Sequence, residues 1–302
     1  SRVEPDSLDT QSIGFRIGPR LNAAGRVASA RTAFEVLVAA TPEEALQKAG
    51  ELDRLNRERQ KQSDAAYKDA REIVKREKSE GFVQVVWSEI WPAGIVGLVA
   101  GKLVSEFGKP TFALTKVGAE YVGSGRSMGG LHLVEAMQSC GDIFVKAGGH
   151  PQACGLTIAT EERITIFKER VQEFAEGHFG NRGPQDELRI DAEIAFSEIS
   201  EEVIQSFDDL RPFGQGNPAP VFATRSATVL SAKKVGATES HLKLVLRGAD
   251  TAKIDMIGFS MANPFSGIKV GDQIDVVYEA FINEWNGNRS VQGRMIDIRP
   301  RT

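Results

Sequence analysis

Two short stretches of the chain carry residue types that handle anions. Gly148-Gly149-His150 interrupts an apolar stretch just before Gly155-Leu156-Thr157-Ile158, and Val122-Gly123-Ser124-Gly125-Arg126-Ser127 closes a strand-like run. Paired glycines let backbone N–H groups approach a ligand closely. Arg126 adds a planar fork of donors suited to phosphate, and His150 can donate to or accept from a bound oxygen. Read as two loops, the stretches form halves of one phosphate-recognition wall made of Ser124, Arg126, Gly148, Gly149 and His150. A third stretch, Phe15 to Arg26, holds Arg16, Arg20, Asn22 and Arg26 with little apolar periodicity, and reads as a loop or bent connector. Arg20 and Arg26 either clamp a phosphate beside Asn22 or are solvated arginines of a surface linker.

The elements that must position these residues follow from the apolar pattern. Residues from about Ala30 to Arg76 are helical in spacing, with a helix start at Thr41-Pro42-Glu43-Glu44. The alternating charges of Arg57-Glu58-Arg59-Gln60-Lys61 read as a solvated helix face. An α/β pattern comes next. Phe82 to Trp87 is a buried strand, Pro92 opens a helix from Ala93 to Phe107, and Thr111–Leu114 and Tyr121–Gly123 are further strands. Gly94, Gly97, Ala100 and Gly101 make a side-chain-poor stripe on that helix. Each interior glycine costs about 1 kcal/mol in propensity, so the stripe serves either close packing on the sheet or an anion at the helix N-terminus. Leu131 to Cys140 is a helix with His132 near its start, read as structural ahead of catalytic. Gly155–Ile158 is a strand, Thr160–Phe179 an amphipathic helix, and Asn181-Arg182-Gly183-Pro184 a boundary.

Beyond that boundary, Leu188 to Leu210 begins as a short strand and becomes a helix. Arg211-Pro212-Phe213-Gly214-Gln215-Gly216-Asn217-Pro218 is a rigid, non-repetitive connector. The remainder is all β: short runs at 221–222, 227–230, 241–246, 254–259, 274–278 and 291–293, with hairpin turns at Gly271-Asp272 and Asn286-Gly287-Asn288. About five or six strands suit a small closed barrel of the OB type. His241, Lys243, Phe281, Trp285, Asn288 and Arg289 supply the basic groups and aromatics on which single strands stack; a protein-binding barrel fits the same pattern. The expected organisation is a connector over 1–29, an α/β domain over 30–182, a linker over 183–220 and a barrel over 221–302.

Composition narrows the class without naming a partner. The chain has 302 residues, 41% hydrophobic and 26% charged, with net charge −4. That is a globular composition with room for more than one core. No apolar run approaches a membrane span and no secretory signal pattern opens the chain, so a cytoplasmic location is expected. Cys140 and Cys154 are too few for a disulfide framework, lack zinc spacing, and read as small core residues. The negative total does not advertise nucleic-acid binding, yet a local basic stripe would not show in it.

The stretches at 16–26, 123–127, 148–150, 212–218 and 241–243, in this order, resemble the RecJ family of single-strand-specific exonucleases. The likeness runs from about Ser12 onward. The Gly-Gly-His segment is shared with other DHH phosphoesterases, whereas the Pro-Phe-Gly-x-Gly-Asn-Pro connector followed by a barrel is far more specific. The resemblance implies a DHH-associated α/β domain followed by an OB-fold domain. It further implies a 5′→3′ exonuclease that hydrolyses phosphodiesters of single-stranded DNA during repair and recombination. By the same resemblance His150 and Arg126 offset charge on the phosphate, and Arg20, Asn22, Arg26, Ser124, Gly148 and Gly149 bind it. His241, Lys243, Trp285 and Arg289 then guide DNA along the barrel. Mn2+ or Mg2+ would sit on Asp and His residues of a further DHH domain, activating water as in two-metal hydrolysis. A single-strand-binding protein or a helicase is the expected kind of protein partner.

Two departures bear on that reading. The chain contains no Asp-His-His motif and four histidines in all, none clustered with aspartates as metal ligands require. It is therefore expected to hold no metal itself, and to bind single-stranded DNA without cleaving it, as a C-terminal portion, natural or engineered. Pro92 also stands where many relatives carry a His after the Trp equivalent to Trp91. Two alternatives stay open: a stand-alone nucleic-acid or protein binding module, and a DHH-type phosphodiesterase for short oligonucleotides or cyclic dinucleotides.

Overall fold

The arginine-rich stretch expected as a loop is helical. In the computed structural model, a π-helical turn over Ser12–Ile17 runs into α1 (Gly18–Val27), with Pro19 in its first turn. Ala23 and Ala24 on α1 are fully buried, Ala24 against Leu52 and Leu55, and this tertiary contact overrides the weak periodicity. The structure describes residues 8, 10–77, 81–127, 130–180, 183–184, 187–214, 216–285 and 287–301, leaving aside the Trp285 side chain. The chain divides into two units, Ser1–Glu187 and Leu188–Thr302.

In the first unit, α1 is followed by α2 (Ala30–Leu37) and α3 (Pro42–Glu77), a rod of 36 residues. Thr41 Oγ1 caps α3 by accepting from the Glu44 N–H at 3.2 Å, and Pro42 begins the helix where its missing N–H does no harm. Five strands follow in the order β1-β2-β3-β5-β4. They are β1 (Gln84–Ser88), β2 (Thr111–Val117), β3 (Glu120–Arg126), β4 (Phe144–His150) and β5 (Ala153–Ile158). β1 and β2 are parallel, joined through a 3-10 turn (Ala93–Ile95) and α4 (Val96–Phe107); the remaining pairings are antiparallel.

Each face of this sheet has its own core. On one face α5 (Leu133–Ser139) and α6 (Glu161–Phe179), the latter through Phe167, pack with Phe112, Leu114, Cys154 and Leu156. On the other, α3 and α4 pack with Val86 and Ala113. His132 caps α5, its Nδ1 accepting the Glu135 N–H at 3.3 Å, in keeping with a structural role. The Gly148-Gly149-His150 segment, expected as a loop, is the end of strand β4 at the sheet edge, and Ser124-Gly125-Arg126 lies inside β3. Glycines weaken strand propensity, but the ladder to β5 satisfies this backbone and holds it extended.

The second unit opens with β6 (Ala192–Glu193), a 3-10 turn at Phe196–Glu198 and α7 (Glu201–Ser206). Its long strands are β7 (Phe222–Val235), β8 (His241–Arg247), β9 (Lys253–Gly258), β10 (Gln273–Trp285) and β11 (Asn288–Pro300). β10 pairs with both β11 and β7, closing the sheet into a barrel of the expected OB type. Its core includes Tyr278, Leu244, Leu246, Met256 and Ile274. Phe196, Ile199 and Ile204, from the segment read as linker, belong to this same core. In the connector, Gly214 and Asn217 exchange backbone hydrogen bonds, and Asn217 Nδ2 donates to the carbonyls of Leu210 and Pro212. Gln215 lies outside the described residues.

Candidate phosphate and nucleic-acid interface

Residues directly opposite in a paired sheet project to the same side. Arg126 on β3 is opposite Ala153 on β5, and Ala153 is opposite His150 on β4. One row therefore carries Arg126 and His150 on a common face, two strand spacings apart, or about 10 Å. The neighbouring row on that face is Ser124, Gly155 and Gly148. α4 packs on this face chiefly over β2 and β3. Gly155, Gly148 and His150 are exposed, so the two rows form a bare shelf beside the start of α4.

The glycines of this region do separate jobs. Gly149 has φ +153°, and a Cβ there would lie 2.5 Å from the Ala153 carbonyl oxygen. It is a glycine of fold. At Gly148 and at Gly155 a Cβ would meet nothing within 4 Å, so packing does not require glycine there, and their bareness keeps the shelf flat. A Cβ on Gly97 in α4 would lie 2.8 Å from Arg126 Nη2 and 3.1 Å from Ser124 Oγ. Gly94 abuts the carbonyl of Arg26, whereas Gly101 faces open space. The close-packing reading of the stripe holds at Gly94, while at Gly97 the missing Cβ makes room for Arg126 and Ser124.

Arg126 is partly buried, with Nη1 donating to the Gly125 carbonyl at 2.6 Å. Burial lowers its pKa, as does the charge of Arg26, while Cys154 acts the other way. Arg26 reaches the same helix start from α1, its Nη1 donating to the Gly94 carbonyl at 3.1 Å. Asn22 is exposed one turn before Arg26 on the same helix face. Arg20 is not part of this group. Six positions back on α1, it lies about 9 Å away along the axis and on another side, and its Nε is paired with Asp53 on α3 at 3.0 Å. Helical winding thus sets Arg20 apart from Arg26, where a loop would let the two meet.

On the barrel, His241 and Lys243 share the outer face of β8. His241 Nδ1 accepts the Ser260 N–H at 3.0 Å, and its ring meets exposed Phe259 edge-on at 5.3 Å. That acceptor role puts the proton of the neutral ring on Nε2. Lys243 is paired with Asp255 at 3.1 Å and stands directly opposite Lys233 on β7. Arg289, at the hairpin end of β11, is paired with Glu201 at 2.8 Å and lies apart from that lysine pair. The Trp285 side chain is outside the described residues. Sequence reasoning missed Lys233 and Phe259, since neither sits in a motif; strand register reveals the first and the ring contact with His241 the second.

Comparison with known proteins now bears on these two folds. A family model described as the DHHA1 domain matches residues 79–177, and one described as the RecJ OB domain matches residues 190–297. The fold and shelf thus define a DHH-associated domain joined to an OB domain. Over both domains the chain is similar to RecJ exonucleases. It is 33% identical over 284 residues to the single-stranded-DNA-specific exonuclease RecJ of Bacillus subtilis, covering 93% of this chain and 36% of that protein. The corresponding figures for RecJ of Escherichia coli are 30% over 310 residues, 98% and 52%. A crystal structure of RecJ with Mn2+ from Thermus thermophilus superposes with a TM-score of 0.82 at 26% identity, over 97% of this chain and 42% of that one. The chain spans between about a third and about half of the curated relatives it matches.

RecJ of Thermus thermophilus has been solved with Mn2+ and with Mg2+. Among the described residues of this chain, no three His, Cys, Asp or Glu side chains gather as ligands. The shelf itself offers a guanidinium, a hydroxyl and a single imidazole with no carboxylate beside it, a set that suits an anion and is too sparse in ligands for a divalent cation. These residues do not fit a metal. No helix among the described residues is long and apolar enough to cross a membrane.

Proposed function

We propose that this chain supplies the phosphate-binding and strand-guiding part of a 5′→3′ exonuclease that hydrolyses single-stranded DNA in repair and recombination. The observation that carries the reading is the common face shared by Ser124, Arg126, Gly148 and His150 beside the start of α4. A phosphate on the shelf meets the Arg126 fork, the Ser124 hydroxyl and the His150 ring, with Arg26 and the helix dipole adding positive potential. In the whole enzyme Arg126 and His150 offset charge that grows on the phosphoryl oxygens during hydrolysis. Lys233, Lys243, His241 and Phe259 offer the backbone contacts and stacking that suit single strands without base readout. Arg20 and Asn22 in the first unit, and Trp285 and Arg289 in the second, are assigned peripheral strand contacts.

The setting proposed is the cytoplasm, where the two buried thiols, Cys140 and Cys154, stay reduced. A single-strand-binding protein or a helicase that presents unwound DNA is the matching partner class. Divalent metal enters through a part of the enzyme other than these residues.

The test is anisotropy of a labelled single strand with this chain at several salt concentrations. Binding should be weak and salt-sensitive, and Arg126→Gln should lower affinity on the order of tenfold while reducing the salt slope by about one. Equal binding by the wild type and by the double variant Arg126→Gln/His150→Ala would remove the shelf from the function.

A further inference from the structure

Arg59 belongs to none of the motifs above, and the charge pattern around it reads as solvated surface. The structure places it otherwise. α3 presents one buried stripe along its length: Leu52 and Leu55 pack against Ala24 of α1, and Ala66 and Ala70 pack with Ile95 and Val96 at the start of α4. Arg59 lies on that stripe, three positions after buried Asn56 and four before buried Ser63. The polar interval of the stripe therefore falls where the end of α1 meets the start of α4, the junction at which Arg26 touches Gly94.

The hydrogen bonding of this junction is incomplete. Arg59 Nη2 donates to Asn56 Oδ1 at 2.9 Å, while its Nε is buried with no hydrogen-bond partner among the described residues. A buried donor without an acceptor is unfavourable, the more so on a charged group. Burial, then the charge of Arg26, lowers the Arg59 pKa, with Asp64 opposing; Asp64 is itself paired with Lys102 at 2.6 Å. The hydrogen-bond partners of Arg26, Arg59 and Arg126 are all neutral: the Gly94 carbonyl, the Asn56 amide and the Gly125 carbonyl. Arg26 is the charge that both other guanidiniums feel.

We propose that Arg59 is a third cation of the phosphate site built by Arg26 and Arg126, a positioning residue whose charge stands behind Arg26. The inference rests on the reading of the shelf as a phosphate site and deepens it. Arg26 repels both Arg59 and Arg126 while the site is empty, and a phosphate dianion beside Arg26 offsets both repulsions. Arg59 thus raises affinity for phosphate at the expense of the ligand-free fold. A residue retained only for packing has the opposite signature, since its loss weakens the fold with and without ligand.

The experiment is thermal melting of this chain in potassium chloride and in potassium phosphate at matched ionic strength. The proteins compared are the wild type, Arg126→Gln, Arg59→Gln and Arg59→Lys. Phosphate should raise the wild-type melting temperature, and Arg126→Gln should abolish that rise. Arg59→Gln should melt in chloride no lower than wild type, yet need on the order of tenfold more phosphate for the same rise. Arg59→Lys, which keeps the charge, should respond to phosphate nearly as wild type does. A wild type indifferent to phosphate, or an Arg126→Gln that responds fully, overturns the underlying site. A normal response to Arg126→Gln with a full phosphate response in Arg59→Gln overturns only the assignment of Arg59. So does equal melting-point loss in chloride for both Arg59 variants.

Discussion

Arg126 and His150 occupy the two ends of one row across β3, β5 and β4, with Ala153 between them. Their side chains share a face but do not touch, because the Arg126 guanidinium folds back to its own strand and toward Gly97. A ligand laid across Ala153 is what would join them. Ala153→Glu places a carboxylate in that gap and should lower single-strand affinity on the order of tenfold or more by charge repulsion. Circular dichroism should show the fold kept, since residue 153 is only half-buried. Unchanged affinity in this variant would mean that DNA does not cross the row.

The two adjacent glycines of β4 should respond differently to the same change. Gly149→Ala forces a Cβ against the Ala153 carbonyl in a backbone region that L-residues avoid. It should destabilise the first unit by about 2–4 kcal/mol. Gly148→Ala meets no neighbour and should leave the melting temperature within a degree or two of wild type, while any loss of DNA affinity there reports contact with ligand. Chemical denaturation and anisotropy on both variants give the comparison.

On the barrel, Asp255 restrains Lys243 through a 3.1 Å ion pair, both groups being substantially exposed. Asp255→Asn frees the lysine and removes a negative charge from the face. Single-strand affinity should rise severalfold and the salt slope steepen by about one, with little stability change because exposed pairs contribute about 0–1 kcal/mol. Lower affinity would place the DNA elsewhere on the barrel.

Asp275 gives the second unit a pH dependence. Burial pushes its carboxyl up, but hydrogen bonds from Arg299 and the Ser226 N–H, with the charges of Arg301 and Arg299, hold it below the usual carboxylate value. A depressed folded-state pKa stabilises the fold above the unfolded value of about 3.9, and that stability is lost as pH falls through the folded-state pKa. Melting temperature should therefore drop on acidification below about pH 4. Asp275→Asn should flatten the drop while costing about 1–3 kcal/mol at neutral pH.

The architecture was legible where apolar periodicity was strong. Strands β8 and β9, α6 and the strand at Gln84–Ser88 follow from spacing alone, as does the Thr41-Pro42 helix start from residue types, whereas β7 runs unbroken through the runs expected at 221–222 and 227–230. Legibility failed where a tertiary contact or a ladder decides the backbone. The 16–26 stretch became helix because Ala23 and Ala24 find a core, and Gly148 to His150 became strand because β5 pairs with them. Spacing along a chain cannot report strand register, so the shared face of Arg126 and His150, and the partnership of Lys233 with Lys243, came only from the fold. Arg59 was hidden for the converse reason: its sequence neighbours are charged, and only the helix stripe separates it from them.

The alternation along β3 has a consequence for which changes this chain can absorb. Gly123 and Gly125 face the packed core, where a Cβ would strike Leu114 or Phe112, and Ser124 and Arg126 face the shelf. Adding or deleting one residue in that strand would exchange the two sets, thrusting the arginine into hydrocarbon and turning bare backbone toward the phosphate. Substitutions can drift around this segment, but its length is locked.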